Sequence, residues 1–103
     1  LLASTLEALD FTREWMVLLG RKSAEERVAS FLLAMAHRLR AAPGAAFDLP
    51  LTRAQIADVL GLTIETVSRQ MTRLKAAGVI EMASVRSVRI IAADGLRDRA
   101  EVA

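Results

Sequence analysis

The chain has 103 residues, 53% hydrophobic and 25% charged, with a formal net charge of +2 and a sequence pI near 9.9, which suits a single domain with a modest core and at most a short appendage. It has no cysteine, so a disulfide framework and a thiolate metal site are both excluded from this piece. No apolar run approaches the roughly 20 residues that span a bilayer, and no charged-then-apolar targeting segment opens the chain.

The chain begins at Leu1 rather than Met, and the expectation is a fragment of a longer protein. From Leu1 to Leu19 the apolar residues fall into two helical registers, Leu2, Leu6, Leu9 and Met16 in one and Phe11, Trp15 and Leu18 in the other. The first register has coiled-coil spacing interrupted by Arg13, and is read as a dimer seam carried by Leu2, Leu6 and Leu9. The alternative is an amphipathic helix lying wholly on its own domain. Trp15 is read as a packing anchor.

Gly20-Arg21-Lys22 is expected to end that helix, and Ser23-x-x-Glu26 forms a capping box that opens the next. Val28, Phe31, Leu32, Met35, Ala36 and Leu39 then follow helical spacing and define a core helix. His37, the only histidine, lies off this stripe and is read as a surface residue; without cysteine or a second histidine, no metal site is expected. Ala41 to Ala46 is a loop of small residues around Pro43-Gly44. Phe47, Leu49 and Leu51 alternate with polar or breaking residues and predict a short strand, placed at a sheet edge because Pro50 has no amide to donate.

The most informative stretch runs from Leu51 to Gly78. Thr52-x-x-Gln55 is a second capping box, Ile56, Ala57 and Leu60 form one buried face, and Gly61-Leu62-Thr63 ends one helix and caps the next. This is helix-turn-helix spacing. In the second helix, Ile64 to about Ala77, Val67, Met71 and Leu74 face inward, while Glu65, Ser68, Arg69 and Thr72 share another side. That side has base-reading chemistry: Arg forks onto guanine, a carboxylate accepts from cytosine, and Ser serves either role.

After Gly78, Val79–Met82 and Ser87–Ile91 predict a hairpin, or wing, with Arg86 near its tip as a candidate phosphate contact. The tip has neither Gly nor Asn, which leaves its turn type open. Asp94 is expected to cap a last, polar helix from Gly95 to about Glu101. Between Thr52 and Arg89 there are six basic and three acidic side chains, a net of +3, against a net of −1 elsewhere, so the positive charge belongs to the helix-turn-helix region.

The resulting fold class is mainly α with a small antiparallel β component, a winged helix-turn-helix. Three functions compete: duplex DNA binding, a winged-helix module for protein–protein interaction, and an enzyme. The Glu65, Ser68, Arg69 and Thr72 face offers no apolar anchor for a protein partner, and one histidine with no cysteine gives no paired nucleophile and base.

The order of elements, with SAEERVASFLL and LGLTIETVSRQMTRLKAAGVI, resembles the C-terminal part of Crp/Fnr-type bacterial transcription regulators over nearly the whole chain. Gly61 to Arg69 is most similar to the Fnr/FixK branch, in which a Glu-x-x-Ser-Arg pattern reads TTGAT half-sites in a palindrome. The resemblance implies base reading by Glu65, Ser68 and Arg69 and phosphate contacts by Arg53, Thr63 and Thr66. Ile64 stands where cyclic-AMP receptor proteins have Arg, and Gln70 where an apolar residue is common. It further implies residues 1–20 as the end of a dimerisation helix, 21–103 as the winged domain, and a cupin-like sensory domain before Leu1. Implied partners are double-stranded DNA, a second copy of the chain and RNA polymerase through the Ala41–Asp48 loop, in the cytoplasm and without membrane contact. No cofactor is implied for this fragment; the sensory part would carry any.

Overall fold

The computed structural model describes residues 22–101. The expected dimer seam of Leu2, Leu6 and Leu9, together with Trp15, lies outside them. Helix α1 (Ala24–Arg38) begins at the predicted capping box: Ser23 Oγ accepts from the Glu26 amide at 3.2 Å, and Glu26 Oε1 accepts from the Ser23 amide at 2.7 Å. Its inward stripe of Val28, Ala29, Phe31, Leu32 and Met35 is buried. Leu39 is not part of that core. It follows the last helical residue and is 44% exposed, because the chain turns away through Arg40 at φ 53°.

Strand β1 (Ala46–Asp48) leads to α2 (Arg53–Leu60) and α3 (Ile64–Ala76), followed by β2 (Ile80–Met82), β3 (Ser87–Ile90) and α4 (Ala93–Ala100). The antiparallel sheet has the order β1-β3-β2. Phe47, Val88 and Met82 are in register across it and turn inward, whereas Ala46, Arg89 and Glu81 form the outer row, where Arg89 and Glu81 pair at 3.4 Å. β1 takes the expected edge position but is shorter than predicted. The strand stops before Pro50, although Leu49 still donates its amide to the Arg86 carbonyl at 2.8 Å. The hairpin also contracts at its base. Val79 and Ile91 lie outside the strands, and the Val79 carbonyl accepts from the Ile91 amide at 2.9 Å and the Ala92 amide at 3.3 Å.

Helix α4 starts earlier than predicted, at Ala93, and Asp94 does not cap it. Ala92 occupies the cap position with no side-chain bond, while the Asp94 carboxylate accepts from Arg97 at 2.8 Å. The helix is also less polar than its composition suggests: Leu96 and Ala100 are buried. Its C-terminal carbonyl, from Ala100, accepts from Lys22 Nζ at 2.7 Å, and Arg99 pairs with Glu25 at 2.9 Å. These contacts tie α4 to the beginning of α1. Among the described residues, no helix is long and apolar enough to cross a membrane.

Candidate nucleic-acid interface

Helices α2 and α3 are joined by a turn built from the backbone outward. Gly61 takes the left-handed conformation (φ 67°, ψ 34°), and the Leu62 amide donates to the Ala57 carbonyl at 2.9 Å, a six-to-one bond that satisfies one orphan carbonyl of α2. The Leu60 carbonyl is satisfied from elsewhere. Arg27 in α1 donates Nη1 to it at 3.0 Å and Nε to the Lys22 carbonyl at 2.9 Å. A single guanidinium therefore links the entry of the described domain to the helix-turn-helix turn.

The start of α2 is the predicted box, with Thr52 Oγ1 accepting from the Gln55 amide at 3.2 Å and Gln55 Oε1 accepting from the Thr52 amide at 2.9 Å. At the start of α3, Thr63 Oγ1 accepts from the Thr66 amide at 3.1 Å and donates its proton to Thr66 Oγ1 at 2.9 Å. The two hydroxyls thus sit together at the positive end of the helix, where an anion is favoured.

Helix α3 separates its faces. Val67, Gln70, Met71 and Leu74 are buried, Glu65, Arg69 and Thr72 are exposed, and Ser68 is half-buried. Glu65 stands in the first turn, where its charge also favours the helix dipole. Thr72 donates its hydroxyl proton to the Ser68 carbonyl at 3.0 Å and keeps only acceptor capacity outward. Glu65, Ser68 and Arg69 are thereby brought together on one outward surface, with Ile64 exposed beside them.

Thr63 and Thr66 stand at the start of α3, Arg53 lines a groove together with Ser68 and Thr72, and Arg86 is exposed at the hairpin tip. Arg53 is half-buried, and its Nη1 is a buried nitrogen with no hydrogen-bond partner among the described residues. Burial lowers the guanidinium pKa by desolvation, yet an Arg stays protonated at neutral pH. It borders a groove of about 470 Å³ between α3 and the hairpin, with Ser68, Thr72, Lys75, Ser84 and Val85 among the other walls.

The hairpin tip has its own chemistry. The Ala83 amide donates to the Ser87 carbonyl at 3.2 Å, and Ser84 Oγ accepts from the Arg86 amide at 3.4 Å and the Ser87 amide at 3.1 Å. A serine hydroxyl does the work that Gly or Asn does in commoner tight turns. Sequence reasoning missed Ser84, Lys75 and Arg27. Lys75 was within reach of it, because Ser68, Thr72 and Lys75 continue one stripe at i, i+4 and i+7; Arg27's bond to the Leu60 carbonyl spans 33 positions, too many for any local pattern.

Elsewhere, an apolar groove of about 330 Å³ runs beside the Ala41–Ala45 loop, and none of its walls comes from α2 or α3. Among the described residues, no group of three or more His, Cys, Asp or Glu is arranged to hold a metal ion.

The family of Crp-like helix-turn-helix domains matches residues 26–99. The chain belongs to that family. This Crp-like domain is 58% identical over 85 residues to a probable transcriptional activator of Rhizobium leguminosarum bv. viciae, covering 81% of this chain and 35% of that protein. It is 54% identical over 94 residues to the transcriptional activator protein FnrL of Cereibacter sphaeroides, covering 85% and 38% respectively. The structure of FixK2 from Bradyrhizobium japonicum superposes with a TM-score of 0.81 at 39% identity, covering 98% of this chain and 50% of that one. These likenesses support the Fnr/FixK branch, and the Crp-like domain spans about a third of the length of the curated relatives it matches.

Proposed function

We propose that the chain is the DNA-binding part of a Crp/Fnr-type transcriptional activator and reads a palindromic TTGAT-like site as a symmetric dimer. In this role α3 enters the major groove, Glu65, Ser68 and Arg69 meet base edges, and Arg53, Thr63, Thr66 and Arg86 meet phosphates. Residues 1–20 form the end of the dimerisation helix and residues 21–103 the winged domain. The observation that carries this reading is the outward surface of α3: a carboxylate with no ion pair among the described residues, a hydroxyl and a guanidinium on one side of a helix whose other side is locked into the core. The names of the relatives, a transcriptional activator and FnrL, support the same role.

Selection from random duplexes at a stated salt concentration is the test. Enrichment of a TTGAT-type palindrome is expected, and no enrichment would leave the protein-interaction module as the better account. Arg69→Ala should then cost about 1–3 kcal/mol on the selected duplex, relaxing preference at its guanine, and far less on scrambled DNA. Equal losses on both would show that Arg69 does not read a base.

A further inference from the structure

We propose that the groove between α3 and the hairpin seats one backbone phosphate of the bound duplex, held jointly by Arg53 and Lys75. The inference rests on the DNA-binding reading above and assigns Lys75 a part in it. Its basis is the inventory of the groove. The walls include two cations, Arg53 and Lys75, and no carboxylate. Neither cation has an ion pair among the described residues, and Arg53 Nη1 is buried with no acceptor. That buried nitrogen has no surface for an anion to touch, but the half-buried guanidinium borders the groove, and an anion there would offset part of the cost of desolvating its charge.

Among the groove's hydroxyls, Thr72 has spent its proton inside α3, and Ser84 is the one placed to donate. Ser84 Oγ already accepts from two amides, so its own proton is free to be given outward. Such a cleft matches a phosphodiester, which only accepts, better than a base edge, which mixes donors and acceptors. The spacing on α3 agrees. Lys75 lies seven residues beyond Ser68, about 10 Å along the helix axis, and the major groove is about 12 Å wide. With Glu65, Ser68 and Arg69 over the bases, Lys75 falls at the rim where the backbone runs.

The test uses the whole chain with a palindromic duplex and a scrambled one. Lys75→Gln should weaken binding to both duplexes alike and reduce the log–log salt slope by about 0.9 per bound protomer, so that the affinity lost between about 50 and 200 mM salt becomes about 3.5-fold smaller. Lys75→Arg should keep the slope. A scan of neutral methylphosphonate substitutions should find one phosphate per half-site whose replacement makes both Lys75→Gln and Arg53→Gln silent. An unchanged slope, a loss confined to the palindrome, or the lack of any phosphate that silences both variants would overturn the inference while DNA binding itself stands. If the unsubstituted chain binds neither duplex at low salt, the DNA-binding reading fails and this inference with it. Thermal melting of each variant separates misfolding from lost contact.

Discussion

At the scale of single residues, Gln70 is the buried polar side chain of the described core. It is 6% exposed on the inner side of α3, and its Oε1 has no hydrogen-bond partner among the described residues. A buried acceptor left unsatisfied costs about 1–3 kcal/mol, whereas an apolar group of similar volume removes the cost and keeps the packing. Gln70→Met should therefore raise stability by about 1 kcal/mol, which for a domain of this size raises the melting temperature by about 4–8 °C. An unchanged or lower midpoint would show that the carboxamide is satisfied in solution. Because Gln70 faces the core, affinity for the selected duplex should not change. The sequence distinguishes residues on α3 only by periodicity: Val67, Met71 and Leu74 are legible as inward and Glu65, Ser68 and Arg69 as outward. Gln70 falls on the inner side with a polar side chain, so its burial follows from the neighbouring helices rather than from its own chemistry. Lys75, which continues the stripe of Ser68 and Thr72, is legible as outward. What makes it informative is the hairpin across the groove, which no α3 pattern contains.

Among whole elements, helix ends were legible wherever a side chain caps its own helix. Both capping boxes and the Thr63 cap involve residues three apart, and all are present. Helix α4 was misplaced because it starts without a side-chain cap, after the Val79 carbonyl has fixed the chain at Ile91 and Ala92. The C-terminal end of α2 was half legible. Gly61 announces the left-handed turn, but the Leu60 carbonyl is completed by Arg27, 33 positions earlier. This long-range bond makes α1 part of the turn. Arg27→Met keeps much of the aliphatic stem but removes both hydrogen bonds, and it should destabilise the domain by about 1.5–3 kcal/mol, the range for bonds made by a charged donor. Urea denaturation gives the number, and amide exchange at Leu62, next to the released carbonyl, should accelerate beyond the global change. Arg27→Lys should recover only part of the loss, since one ammonium cannot reproduce the fork that reaches Leu60 and Lys22 from two nitrogens. Full recovery by Lys would mean that charge, rather than the two-point link, is what matters.

Across the whole described molecule, α1 is the frame: α2, α3 and α4 all pack on it, and Arg27 within it and Lys22 just before it hold the ends of two other helices. Arg27 reaches the end of α2, while Lys22 Nζ bonds the Ala100 carbonyl at 2.7 Å and Ser30 Oγ at 2.8 Å. The proposed function requires two copies set at a fixed separation. Two recognition helices related by a two-fold axis meet successive major grooves about 34 Å, or one helical turn, apart. Each copy alone would carry the local +3 of the helix-turn-helix region and bind duplexes weakly without regard to spacing. The proposed dimer predicts otherwise. Inserting five base pairs between the half-sites moves the second one to the opposite side of the duplex, about half a turn round. Affinity for that duplex should fall to the value for a single half-site, measured by titration at fixed salt. If the expanded duplex binds as tightly as the parent palindrome, the two copies act independently, and the expected seam of Leu2, Leu6 and Leu9 does not set their separation.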